Sequence, residues 1–350
     1  MQLAGSISMG LLTSSVALWL FLYPRHHGAG APPWVAQEPT RPAPWGLVDL
    51  LIVLLILVGS LVVAQVVAAP ELLDAKLPPE ARRLETMAPG LRIRVVVANS
   101  LATLVATLFA LAIIAWRTSA SWDRFGLSGR SLLRDAKLGG LAMLLLFAPV
   151  LGLQMLLTQF FPSQHPLIET IRKSGDVGFL LASGLAAVVA APIVEEFQFR
   201  VLLQGWLQNV ARAIRGQLSL ADVIWGAGNV RPDSSTATID SRRGSTTADN
   251  VSSVASSESE AGAVLAGASA DFALPRWPIV GSSLLFALAH ASHGPDPIPL
   301  FLLALGLGYL VQRTGRVWPA IVVHFLLNSW TMILMVTIVL AGEAVPGAGK

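Results

Sequence analysis

The sequence predicts an all-α, polytopic membrane protein built as a bundle of about eight transmembrane helices. Three observations lead there. The 350-residue chain is 54% hydrophobic and 13% charged, against about 25% charged residues in a soluble domain. Its mean hydropathy is +0.64. Several apolar runs exceed the ~18 residues that read as a membrane span, and they are continuous, unlike barrel strands, which alternate.

The spans fall at roughly 2–22, 46–69, 94–116, 138–159, 178–208, 277–291, 298–313 and 316–341. The first resembles a signal peptide but lacks a charged n-region and an A-x-A site, so it reads as a retained span. The proline-rich stretch "YPRHHGAGAPPWVAQEPTRPAPWG" reads as an extended linker. Residues 71–93, with "PPEARRLE", read as a short surface helix, and 118–136 end in an amphipathic piece. The sixth and seventh spans are short, which suits helices enclosed by others. Residues 215–274 are rich in Ser, Ala and Thr and poor in aromatics. Such a segment buries too little apolar area to offset its ordering entropy, and it reads as a disordered, low-complexity insertion in a loop. The organisation expected is therefore N-terminal helices and linkers over 1–136, and a core over 137–341 carrying the insertion.

Cysteine is absent, which excludes disulfides, thiolate metal sites and a cysteine nucleophile. The net charge of +3 comes from scattered basic residues, and no nucleic-acid partner is expected. Loops at 23–45, 117–137 and 313–317 hold nine Lys and Arg residues. Their end of the bundle, which includes the 209–276 loop, is placed in the cytoplasm.

Three polar clusters lie inside apolar spans, where ionisable residues are rare and usually face a cavity. The first is "EEFQFR". Glu196 and Arg200 share a helix face at i and i+4 and can pair. Glu195 points elsewhere and has no partner on its own helix, which makes it a candidate general base or a side chain that reaches the interface. The second is "FALAHASHG", with Phe286, His290 and His293. His290 lies within the apolar stretch; His293, followed by "GPDP", reads as a cap or surface residue. The third is "HFLLN", where His324 and Asn328 share a face. They suit interhelical hydrogen bonding or donation to a developing oxyanion. Together, one carboxylate, two imidazoles and an amide from three spans suit the activation of water against a carbonyl.

In this order, EExxxR, FxxxH and HxxxN resemble the CPBP family of intramembrane proteases, also called the CAAX-protease or Abi family. The resemblance covers about 138–341. It implies an eight-helix bundle with a cavity open to the cytosol, and hydrolysis of a peptide bond in a membrane-bound or lipidated peptide or protein. It implies that Glu195 and His290 activate water, that His324 and Asn328 stabilise the oxyanion, that Glu196 and Arg200 support the site as a pair, and that Phe286 packs beside it. Val201 stands where the family commonly has glycine, with Gly205 four residues on. No metal is favoured. A zinc held by Glu195, His290 and His324 is a chemically possible carboxylate–His₂ set. A non-catalytic scaffold or immunity-type protein on the same fold, or a proton-coupled carrier, are the alternatives. The bacterial inner membrane is the expected location.

Overall fold

The computed structural model describes residues 2–27, 30–74, 78–161, 170, 176–227, 274–292 and 294–340. Helices dominate, with no strand among the described residues. Apolar chain in lipid has no water for its backbone groups, and a helix satisfies them internally. Among the described residues, seven helices have the length and composition of membrane spans. They are α1 (Gln2–His26), α2 (Leu47–Ala68), α3 (Pro89–Thr118), α4 (Leu132–Phe160), α5 (Val177–Ile214), α8 (Pro297–Thr314) and α9 (Trp318–Leu340). Between α5 and α8 lie the short α6 (Leu220–Trp225) and the 13-residue α7 (Trp277–Ala289). At about 1.5 Å per residue α7 covers about 20 Å, less than the ~30 Å hydrocarbon core. The expected eight spans are thus seven full-length helices and one short one.

Proline sets many of the starts. Pro89, Pro278 and Pro297 occupy first-turn positions of α3, α7 and α8, where a missing N–H costs nothing. Segment 71–93 is not the expected separate surface helix: its residues 89–93 open α3. It forms 3₁₀ turns at Pro70–Leu73, Pro79–Arg82 and Leu84–Thr86, because Pro70, Pro78 and Pro79 deprive a continuous helix of its donors.

α5 is the centre of the bundle and touches α3, α7, α8 and α9. α2 packs on α3, α4 on α9, α1 on α4, and α7 on α8. Gln204 of α5 donates to the Gly308 carbonyl of α8 at 2.9 Å and accepts from Ser282 of α7 at 3.3 Å. All of this is buried, so one amide ties three helices together. By contrast α2 shows Leu51, Leu54, Leu55, Val58 and Val62 outward, the face that lipid covers.

The linker before α2 is extended but not loose. Asn209 of α5 accepts from the Ala43 N–H at 3.0 Å and donates back to its carbonyl at 2.8 Å. The Trp45 indole donates to the Leu202 carbonyl at 3.0 Å and stacks on Phe125 at 5.2 Å. Residues 35–46 therefore form a strap across one end of α5. Gly205 makes room for it, since a Cβ there would sit 2.9 Å from the Trp45 ring.

The expected insertion begins later than residue 215. Ser219 and Asp222 cap each other at the start of α6, Val223 is buried, and the Trp206 indole donates to the Val223 carbonyl at 3.1 Å. A capping box anchored by one tryptophan orders this stretch despite its composition. Residues 228–273 lie outside the described residues, as does His293.

Candidate active site

All three motifs converge on the middle of α5. This helix is not uniform. Two wide π turns, Ala186–Ala190 and Glu196–Leu203, flank Ala191–Glu195. Pro192 accounts for the first. The Ala191 N–H reaches back five residues to the Ala186 carbonyl. The next bond of that register would run from residue 192 to the Ala187 carbonyl, and proline has no N–H. Asn328 of α9 supplies the missing donor, its Nδ2 giving 2.7 Å to the Ala187 oxygen. The wide turns set Glu195 at the junction of two registers, a common position for functional groups.

Glu196 is fully buried. Its Oε2 lies 3.2 Å from Arg200 Nε, the i,i+4 pair expected, and its Oε1 accepts from His324 Nδ1 at 2.9 Å. The Arg200 contact is an ion pair at an angle too poor for a hydrogen bond. Arg200 also lies over the Phe286 ring, 4.9 Å from its centroid. Phe286, 1% exposed, meets Phe199 edge-on at 5.2 Å, His290 at 4.9 Å and His324 at 6.1 Å. It is the hub against which the polar side chains are held.

Glu195 differs from its neighbour. Its side chain is 24% exposed, and its Oε2 lies 3.8 Å from His324 Nε2. That gap exceeds a direct hydrogen bond and suits a bridging water. Both imidazoles lie within electrostatic reach of Glu195.

The tautomers follow from the partners. A carbonyl only accepts, so His290 Nδ1 carries the proton it gives to the Phe286 oxygen at 2.9 Å. In the neutral ring its Nε2 is then the basic nitrogen. His324 Nδ1 likewise donates to Glu196, which directs Nε2 toward Glu195. His290 is not inside its helix as expected. It is the C-terminal cap of α7, with φ −102° and ψ 13°, where the helix gives way to the turn before Gly294 and Pro295. Asn328 has one N–H tied to Ala187; its second is the one left for an oxyanion.

The site thus gathers Glu195, Glu196, Arg200, Phe286, His290, His324 and Asn328. Sequence reasoning missed Phe199, Pro192 and the Ala187 carbonyl. Pro192 was a visible signal, since an internal proline in a span always frees a carbonyl. Among the described residues no three His, Asp or Glu side chains come together as a metal-holding group.

Residues 262–330 match the family described as Type II CAAX prenyl endopeptidase Rce1-like. Searches of curated proteins and of solved structures returned no match. The matched segment contains the "FALAH" and "HFLLN" motifs but not "EEFQFR". The hydrogen bond from His324 to Glu196 joins the unmatched motif to the matched one. Over residues 262–330, about a fifth of the chain, the protein is therefore similar to CAAX-type prenyl endopeptidases, and the shared site ties the rest of the candidate machinery to that segment.

Proposed function

We propose that the protein hydrolyses a peptide bond of a membrane-associated or lipidated peptide through a water activated by Glu195, without a metal. The observation that carries this reading is the 3.8 Å gap between Glu195 Oε2 and His324 Nε2, with His324 anchored from behind by Glu196. A water in that gap donates one proton to Glu195 and is oriented by the Nε2 lone pair of His290. Glu195 takes the proton as the water oxygen attacks the carbonyl carbon, and later returns it to the leaving amine. His324 donates to the oxyanion from Nε2 when that nitrogen carries a proton, with Glu195 and Glu196 as counter-charges. The free N–H of Asn328 is the second donor.

An apolar groove of about 330 Å³, lined by Val188, Ser329, Met332, Ile333, Val336 and Thr337, lies beside Ala187 and Asn328. It suits a hydrophobic substrate segment entering from the bilayer. The protein is placed in a bacterial inner membrane, with the end that carries the linker strap and α6 in the cytoplasm.

A mixed peptide library, incubated with purified protein in detergent and read by mass spectrometry, tests the reading. Wild type cleaves with or without a strong chelator, and Glu195→Gln loses 10²-fold or more of the rate, the range for a general base. Cleavage abolished by the chelator would overturn the metal-free part. Equal cleavage by Glu195→Gln would overturn the whole.

A further inference from the structure

A second cavity lies on the far side of Arg200 from Glu195. It holds about 340 Å³ and is half-enclosed at the strap end of the bundle, within the ~300–1,000 Å³ of small-ligand sites. Its floor on α5 is Val201, Gly205 and Gln208. These residues follow one another at i, i+4 and i+7, a stripe turned away from Glu195. Trp45 and Phe125 form an apolar wall.

The charges are one-sided. Arg41, Arg124 and the buried Arg200 line the cavity, with Asp123 as the single carboxylate among the described lining residues. Arg200 is neutralised by Glu196. Arg41 and Arg124 have no carboxylate partner among the described residues. Among the described residues the Arg124 guanidinium makes one hydrogen bond, to the Pro42 carbonyl at 2.6 Å. Partial burial and the neighbouring Arg41 hold the Arg124 guanidinium below its ordinary pKa. Arg212, 7% exposed, adds a third uncompensated cation within electrostatic reach of Arg124. Its own contacts, to Thr40 and Asn209, are at the long limit of 3.3–3.5 Å. Like charges gathered in a partly desolvated place call for a counter-ion.

We propose that this cavity binds a phosphate group, with the guanidinium forks of Arg41 and Arg124 as its ligands. Arginine forks match phosphate oxygens two at a time. The position supports the choice. The cavity lies where the α1–α2, α3–α4 and α8–α9 loops meet, at the basic end of the bundle, the level of phospholipid headgroups. The phosphate is that of an anionic lipid headgroup or a free phosphate. The phosphate ligands Arg41 and Arg124 are not part of the hydrolytic site, which shares only Arg200 with the cavity wall, and the cavity's existence does not depend on peptide cleavage.

The full chain, purified in non-ionic detergent, is titrated with phosphatidylglycerol and separately with phosphatidylcholine, and bound lipid is counted by native mass spectrometry. The expected result is one saturable phosphatidylglycerol per chain, bound at least about tenfold more tightly than phosphatidylcholine. Arg41→Gln and Arg124→Gln each weaken it about tenfold, the scale of a lost charge-assisted pair. Arg41 is exposed, so its variant keeps the fold. Displacement by inorganic phosphate assigns recognition to phosphate itself; retention of lipid assigns it to the whole headgroup. Equal binding of the two lipids by wild type, or unchanged phosphatidylglycerol binding in the double variant, would overturn the site. Displacement by an N-acetylated tripeptide with a free carboxylate, where phosphate fails, would overturn it in favour of a peptide terminus.

Discussion

Glu195 and Glu196 are neighbours in sequence with opposite environments. Glu196 is sealed between Arg200 and His324, while Glu195 keeps about a quarter of its side chain open. The first is structural, and removing it strands two groups. Glu196→Ala and Arg200→Ala are each expected to lower stability by about 3–5 kcal/mol, the penalty for an uncompensated buried charge, seen as a lower melting temperature. Glu195→Gln keeps size and hydrogen bonding, so its melting temperature stays at the wild-type value. The Glu196–Arg200 pair was legible because i,i+4 spacing needs only a helix. The His324–Glu196 bond was not, because 128 residues separate the partners and nothing local encodes which helix faces give contact. The same holds for His290: its residue type marked it, but only the end of α7 shows that its Nδ1 is committed to Phe286 and its Nε2 is the basic atom.

At the scale of the element, the decisive feature is a broken helix register. Pro192 leaves the Ala187 carbonyl without its backbone donor, and Asn328 fills the place from another helix. Asn328 is therefore a structural residue as well as a candidate oxyanion donor. Asn328→Ala is expected to cost about 1–3 kcal/mol, the price of an unsatisfied buried acceptor. In a Pro192→Ala background the backbone N–H is restored, and the same change costs less. The double-mutant cycle should give a coupling of about 0.5 kcal/mol or more, and strict additivity would contradict the register argument. The apolar runs made the helices legible, but hydropathy carries no trace of π turns. The polar stretch 71–93 reads as a surface helix, but its prolines leave 3₁₀ turns up to Thr86, and its last five residues open α3 instead.

Across the whole molecule, the number and order of helices followed from hydrophobic length, and the strap did not. Composition marks 23–45 as a linker, yet Ala43, Trp45 and Asn209 bind it across the end of α5. Trp45→Ala is expected to destabilise by about 3–5 kcal/mol, the cost of emptying a buried aromatic site. Gly205→Leu would press on the same ring, since even a Cβ there lies 2.9 Å away. Orientation is testable because the chain has no cysteine. A single Gln217→Cys, at an exposed position before α6, should react with an impermeant maleimide in opened membranes and not in intact cells. Labelling in intact cells would place the strap end outside.

The central claim is that Glu195 activates the attacking water while its neighbours only hold the site. The most direct measurement is the initial rate on one identified cleavage, for wild type and Glu195→Gln reconstituted side by side, with melting temperatures taken on the same samples. The account predicts a rate reduced 10²-fold or more at an unchanged melting temperature. A rate within twofold of wild type at equal stability would contradict it and move the hydrolytic site elsewhere.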